Sequence, residues 1–290
     1  MSLNEEKAFP MTAADFGIIR ELAYQHTGIV LPERKRHMVY SRLSRRLRML
    51  RLTNFGDYCL KLQSDPLELA PFINALTTNL TAFFRERHHF NFLETELVPY
   101  WQQRKQHRLR IWSAACSSGE EPYSIAMTLA EHFPAASGWD LKILATDLDT
   151  NVLARAEAGV YPLAGMEAIP ERWHHYLQGA AEEFSISNQI KKLIFFKQLN
   201  LLDPWPMQGP FDAIFCRNVL IYFDQSSKQK IVAGFRKLLA DDGVLFIGHS
   251  ESLTNISREF ETVAQTTYRL RHQDSTLPRL SHVSGSKERY

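Results

Sequence analysis

The sequence predicts an α/β protein: a doubly wound, mostly parallel sheet with an antiparallel hairpin at its edge and a small inserted β-subdomain, preceded by a small all-helical domain. Three observations carry this reading. From residue 108 onward, short apolar strand-like runs alternate with amphipathic helical patterns, the signature of a parallel sheet covered on both faces. Residues 12–80 carry helical periodicity only. The last two strand-like runs are separated by too few residues for a crossover, so they pair antiparallel.

Each element has its own warrant. Thr12 with Asp15 resembles a capping box opening a helix that ends near Gly28, and Pro32 is placed to open the next. In that next helix Leu43, Leu47 and Leu50 share one stripe, while Arg42, Arg45, Arg46 and Arg48 take the flanks and back. Shorter helical patterns at 55–63 and 67–77 complete a bundle, and a long one from Glu86 to about Arg104 leads to the first strand. Strands are expected at 108–113, 141–147, 192–200, 211–217 and 243–248, then at EFETVA and TYRLR, with helices at 121–133, 149–158 and 226–240. More than thirty residues separate the helix at 149–158 from the strand at 192, too many for a plain loop. That stretch holds a short helix from Pro170 (PERWHHYL), and FSISN and QIKKLIFF alternate as the two strands of a hairpin would. The expected division is therefore 12–80 helical domain, 81–107 linker and helix, and 108–272 sheet domain with 160–192 inserted, followed by 273–290 as a disordered tail.

Composition excludes whole classes of function. With 44% apolar and 23% charged residues the chain is an ordinary globular protein, and its apolar runs are too short to cross a bilayer. Cys59, Cys116 and Cys216 form no CxxC pair and follow no apparent secretory leader, which predicts a reducing compartment, the cytoplasm. The net charge of +2 hides a basic cluster: Arg34, Lys35, Arg36, Arg42, Arg45, Arg46, Arg48 and Arg51 against Glu33 alone. The bland reading of that cluster is a solvated charged face. A nucleic-acid surface is disfavoured because no aromatics interleave with it.

Ligands of open α/β sheets bind beyond the carboxyl ends of the strands. Four such ends are polar here: SSGEE after the first strand, TDLD (146–149), NLL (200–202) and RNVLIYF (217–223). SAACSSGEEPYS (113–124) has the strand, small-residue turn and helix layout that cradles phosphate, yet it ends in Glu120 and Glu121, which repel phosphate. Asp147 suits a ribose diol. A ligand with a ribose and a cationic end but no phosphate fits both features, and S-adenosylmethionine is such a ligand. Taken singly, the turn is weak, the glutamates are common at helix starts, and Asp147 could be a helix cap; the four strand ends together point to a nucleoside site.

The runs NLTAFFRE (79–86), SAACSSGEEPYSIA (113–126), TDLD (146–149), FDAIFCRNVLIYF (211–223) and GHSESL (248–253) together resemble the CheR family of chemoreceptor glutamate methyltransferases, over essentially 12–271. The resemblance implies a Rossmann-like S-adenosylmethionine-dependent methyltransferase sheet with an inserted β-subdomain behind a helical domain. It implies methyl transfer to receptor glutamates, giving methyl esters and S-adenosylhomocysteine, for adaptation in chemotaxis. By similarity the cofactor positions are Asn79, Thr81, Arg85, Glu120 or Glu121 (Glu121 favoured), Asp147, Asn200 with Leu201, and Asn218 with Val219. It also implies that the basic helix, through Arg42, Arg45, Arg46 and Arg48, docks on the cytoplasmic helical coiled coil of a receptor. Some family members grip a receptor C-terminal peptide with a glycine-proline loop in the β-subdomain. YLQGAAEEFSIS (176–187) has no such element, which predicts docking independent of that peptide.

The implied chemistry needs no general base, because a glutamate with a reference pKa of about 4.3 is already ionised at neutral pH. The task is in-line positioning and exclusion of water, and positioning can supply roughly 7–11 kcal/mol. Arg85, a planar fork, is the candidate to orient the substrate carboxylate, and Tyr222 a second candidate at the pocket mouth, unless it is a core aromatic beside Phe223. No metal is expected, since the neighbours His88/His89 and His174/His175 point about 100° apart on a helix and cannot chelate together. His249-Ser250-Glu251 contains triad residue types, but loop packing is the expected role. A monomer suffices for all of this, with no nucleic acid and no membrane insertion. The competing readings are a methyltransferase of the same fold acting on nucleic acid or a small molecule, and a cofactor-binding sensor or interaction module without turnover.

Overall fold

The computed structural model describes residues 9–180 and 182–271; the expected tail at 273–290 lies outside them. The chain opens with helix α1 (Ala13–Thr27), capped by reciprocal Thr12 and Asp15 hydrogen bonds and closed by Gly28 in the left-handed conformation. Then come α2 (Arg36–Leu50), α3 (Phe55–Ser64) and α4 (Leu69–Leu76). The 3.6-residue period places Ile19, Leu43, Leu47, Phe55, Tyr58 and Phe72 inside one core, all fully buried. A buried carboxylate sits at its edge: Glu68 takes both Arg46 Nε (2.9 Å) and Nη2 (2.5 Å), and Tyr58 donates to it at 3.0 Å.

The expected helix from Glu86 to about Arg104 is a single run, α5 (Arg87–Phe92), a π-helical turn (Leu93–Leu97) and α6 (Val98–Gln102). Strand β1 (Arg108–Ala114), helix α7 (Glu120–Ala130), β2 (Asp140–Asp147) and α8 (Thr150–Ala158) follow. The inserted segment contributes β3 (Val160–Pro162), a 3-10 helix at Glu171–Tyr176 where PERWHHYL starts, β4 (Leu177–Ala180), β5 (Glu183–Ile186) and the short α9 (Asn188–Lys191). The chain then returns through β6 (Ile194–Gln198), β7 (Phe211–Cys216), α10 (Gln225–Leu238), β8 (Leu239–Ile247), β9 (Phe260–Ala264) and β10 (Thr267–Leu270).

The main sheet has the order β6-β2-β1-β7-β8-β10-β9, parallel except for β10, which runs antiparallel between β8 and β9. The edge hairpin is therefore as expected. Along β1, Leu109 and Ile111 enter one core with α7 and the linker helices, while Trp112 and Ala114 enter the other with α10, so the strand is buried on both faces. The hairpin expected from FSISN and QIKKLIFF does not form. FSI is β5, but it pairs with β3 and β4 in a separate three-stranded sheet, while QIK is helical and the following IFF enters the main sheet. Alternation identified β5 correctly as a strand; its partners precede it, the four-residue β4 just before it and the three-residue β3 some twenty residues earlier, both too short to announce themselves as a pattern. Among the described residues, no helix is long and apolar enough to cross a membrane.

Candidate functional site

A cavity with an empty volume of about 1110 Å³, its open mouth included, lies beyond the carboxyl ends of β1, β2, β6 and β7 and is roofed by the helical domain. Its walls come from 27–38, 76–85, 115–121, 147–148, 199–201 and 217–223. Of the seven described non-glycine residues with left-handed φ, five (Phe84, Glu86, Ala115, Ser117 and Asn218) belong to segments at or beside those walls. Such backbone costs about 1–3 kcal/mol per residue and clusters where a binding geometry demands it.

The turn after β1 is held from three sides. Cys116 N donates to Thr146 O (2.9 Å), Ser117 N to Asp147 Oδ2 (2.8 Å), and Tyr161 of β3 reaches from the inserted sheet to Ser118 O (2.7 Å). Gly119 stands at φ +97 before α7, and a Cβ there would sit 2.9 Å from both Ala156 Cβ and the Tyr161 hydroxyl, so glycine is required. Asp147 ends β2 and is 8% exposed; its Oδ1 accepts Asp149 N at 2.9 Å. Burial raises its pKa, against the pull of those backbone donors.

Glu121 lies in the cavity wall, and Glu120 does not. Ser113 Oγ donates to Glu121 Oε1 (2.7 Å) and Arg217 Nη1 to Oε2 (2.9 Å). Burial pushes the Glu121 carboxyl up, and the guanidinium pulls it back. Glu120 Oε2 accepts from Ser118 Oγ (2.8 Å). Two largely enclosed carboxylates, Asp147 at the end of β2 and Glu121 at the turn where phosphate binders place cations, match a nucleoside with a cationic tail.

The family follows from comparison on top of this geometry. Residues 14–77 match the CheR methyltransferase all-alpha domain and residues 79–269 the CheR methyltransferase SAM binding domain. The chain belongs to the CheR family. Chemotaxis protein methyltransferase 2 of Pseudomonas aeruginosa is 47% identical over 269 residues, 90% of this chain and 94% of that relative. The chemotaxis protein methyltransferase of Salmonella typhimurium is 45% identical over 90% of this chain and 91% of its own, and that of Escherichia coli 46% over 90% and 92%. The fold is accordingly that of an S-adenosylmethionine-dependent methyltransferase, and S-adenosylmethionine is the cofactor that the cavity's donor set fits.

In this CheR-family chain the cavity brings together Asn79, Thr81, Arg85 and Glu121, then Asp147, Asn200 and Leu201, and finally Asn218, Val219 and Tyr222. Several of these have side chains already engaged. Asn79 Nδ2 donates to Asp149 Oδ2 (2.7 Å), Asn200 Nδ2 to His26 O (3.0 Å) and Asn218 Nδ2 to Glu86 Oε1 (3.1 Å). Their backbone and remaining amide atoms are what they can offer a ligand. Tyr222 and Phe223 both line the wall; Tyr222 has Lys35 Nζ 4.9 Å from its ring centre, while Phe223 also packs into the core. Arg85 Nη1 donates to Leu80 O (2.7 Å), which fixes the guanidinium against its own loop.

The four expected docking arginines divide. Arg42 donates to Leu76 O and Thr77 O (both 2.8 Å) and Arg46 to Glu68, so these two serve the helical domain internally. Arg45 and Arg48 are exposed. His88 and His89 do not diverge as their adjacency on a helix predicts. Their ring centroids are 4.1 Å apart, both approach Thr266 Oγ1 (3.3 and 2.8 Å), and with Glu86 they place ligand-type atoms within 4.8 Å of one another. Arg217, 3.2 Å from Glu86, already supplies the cation there. Glu251 accepts Gly248 N (2.6 Å), Asn218 N (2.9 Å) and Ile221 N (3.2 Å), which is the loop-packing role expected for its motif. The residues missed were Arg217 and the roof side chains Ile29, Leu31, Lys35 and Met38. Arg217 sits inside a quoted motif as the only cation among apolar strand residues, a signal that could have singled it out.

Proposed function

We propose that this chain methylates glutamate side chains on the cytoplasmic helical coiled coil of bacterial chemoreceptors, forming methyl esters and S-adenosylhomocysteine in the cytoplasm, as a monomer. The relatives' name, chemotaxis protein methyltransferase, supports the receptor setting. The observation that carries the glutamate reading is the pairing of a carboxylate-walled cofactor end with two cations, Arg85 and Lys35, elsewhere in the same wall. Bound S-adenosylmethionine supplies the electrophilic methyl group. The protein's share is binding, orientation and dryness. Asp147 accepts from the ribose and Glu121 from the ammonium. Arg85, with one guanidinium donor bonded to Leu80 O, keeps others for the incoming carboxylate without quenching it in a bidentate ion pair. Tyr222 stands at the mouth as the second catalytic candidate, and the apolar roof of Ile29, Leu31, Met38 and Leu76 keeps water out. The proposed division is a docking and roofing domain at 12–80, a linker at 81–107, and a methyltransferase domain from 108 with the insert at 160–192. Docking falls to Arg45 and Arg48 rather than to all four arginines, independently of a receptor C-terminal peptide.

The test is transfer of labelled methyl from S-adenosylmethionine to receptor cytoplasmic fragments, with Arg85→Ala as control and base lability of the product as readout. Base-labile label that is lost in the variant supports glutamyl ester formation. Cofactor binding with no transfer to any fragment overturns the substrate assignment in favour of a binding module without turnover.

A further inference from the structure

Three of the family-like motifs meet at a point that the cofactor reading does not use. Glu86 closes NLTAFFRE and does not line the cavity, yet its side chain is only 9% exposed and its backbone is left-handed at φ +58. Oε1 accepts from Asn218 Nδ2 (3.1 Å) and from His249 Nδ1 (2.8 Å), and Oε2 lies 3.2 Å from Arg217 Nη2. Arg217, whose side chain is 2% exposed, then reaches the cavity and bonds Glu121 at 2.9 Å; its Nη2 also donates to Arg85 O. Glu86 is thus one residue removed from the cavity and two from whatever Glu121 holds. Burial pushes the Glu86 carboxyl up, but the His249 hydrogen bond, then the Arg217 charge and the Asn218 hydrogen bond, outweigh it and draw the pKa down to about 2, so Glu86 is an anion at any working pH.

The charges decide what this arrangement is for. A buried arginine bonded to Glu121 alone would make a neutral pair, and a neutral pair has little attraction for an ammonium group. With Glu86 on the other side, one guanidinium is shared between two carboxylates, and the enclave keeps a net negative charge. The other cations in the wall are directed elsewhere: Arg85 to Leu80 O and Lys35 to the face of Tyr222. We infer that Glu86 is a positioning residue for cofactor binding, which holds Arg217 back from Glu121 and so leaves Glu121 the charge to bind the cofactor's ammonium group. This rests on the assignment of Glu121 to that ammonium group.

The experiment is calorimetric titration of the full chain and its Glu86→Gln variant with two thioethers. S-adenosylhomocysteine carries the amino-acid end, and 5′-methylthioadenosine lacks it. Glutamine keeps an oxygen for Asn218 and His249 and removes only the charge. The expected result is affinity for S-adenosylhomocysteine lowered about tenfold or more, ~1.4 kcal/mol, with 5′-methylthioadenosine bound within about twofold of the parent. Equal loss for both ligands means a loosened pocket and overturns the inference, as does no loss for either. Glu86→Asp keeps the charge on a shorter arm. Its ratio of the two affinities should stay near the parent's even if both fall, and a ratio collapsed as in Glu86→Gln overturns the charge argument. Should Glu86→Gln not fold, Glu86→Ala provides the same charge removal for the same ratio. Glu121→Gln, run in parallel, separates the two layers. Ligand-selective loss there but not at Glu86 sinks this inference and leaves the Glu121 assignment standing; loss at neither position sinks the assignment itself.

Discussion

Asp149 joins the two halves of the molecule, and replacing it with alanine should weaken stability and cofactor binding together. The residue is 2% exposed and caps α8, with Oδ1 accepting Asn151 N (2.9 Å) and Val152 N (3.4 Å). Its other oxygen accepts Thr77 Oγ1 (2.6 Å) and Asn79 Nδ2 (2.7 Å) from the segment that leaves the helical domain. Loss of the cap costs ~1 kcal/mol. Each hydrogen bond to a buried carboxylate is worth ~1.5–3 kcal/mol. Because both bonds share one oxygen they do not add fully, and a total of ~3–5 kcal/mol is expected. Asp149→Asn retains the capping oxygen but can turn its amide against the Asn79 amide, so about half of that loss should remain. The assay is denaturant unfolding of the parent and both variants, with S-adenosylhomocysteine affinity measured alongside, since Thr77 and Asn79 also wall the cavity. If Asp149→Ala costs no more than ~1 kcal/mol, only the cap was contributing and the joint to Thr77 and Asn79 has no energetic weight.

Four further outcomes are expected. Glu121→Gln should abolish measurable S-adenosylhomocysteine binding by calorimetry, while Glu120→Gln, whose carboxylate bonds Ser118 outside the cavity, stays within about threefold of the parent, ~0.7 kcal/mol. Gly248→Ala puts a Cβ 2.3 Å from Asn218 Nδ2 and 2.7 Å from Asn218 N, so it should cost ~1–3 kcal/mol of stability and raise the KM for S-adenosylmethionine; unchanged kinetics would show that the Asn218 loop can yield. His89 is fully buried, and burial first, then Arg217, draws its pKa down to about 3. An unfolded histidine gains a proton near pH 6.5, so the folded state loses stability as pH falls from ~6.5 toward 3, by up to ~1.4 kcal/mol per pH unit from this group. Unfolding followed across that window should show a shallower slope in His89→Gln. Arg45→Glu should raise the KM for receptor fragments, more at low salt than at high, and leave cofactor affinity untouched; a matched fall in both would place Arg45 in folding.

Periodicity and strand-end chemistry made most of the scaffold legible. The capping box at Thr12, the buried two-faced β1 and the short link before β10 are local signals with local causes, and each formed as read. Pairing across distance was not legible. Nothing in FSIS states that its partners are Val160–Pro162 and Leu177–Ala180 rather than the next apolar run. Charge was likewise legible as a cluster but not as a set of directions: Arg42 and Arg46 turn inward to Leu76 and Glu68, one turn apart, while Arg45 between them faces out. The same limit hid Arg217, whose meaning depends on two carboxylates, at 86 and 121, that only the folded chain brings to it.

The cavity described above is built from six stretches spread from residue 27 to residue 223. No subset of neighbouring residues can form it, and contacts between such distant stretches are the last that a chain can afford to close in loop entropy. A partly unfolded chain therefore lacks the roof at 27–38 and 76–85 even when its sheet has formed, and holds the cofactor less tightly. Cofactor that favours the finished molecule stabilises it by mass action, by up to about 2.7 kcal/mol at a hundredfold excess over Kd. Cellular S-adenosylmethionine would thus act on this protein as a folding ligand as well as a methyl donor, and starvation for it would shorten the protein's lifetime against proteases before it slowed any signal.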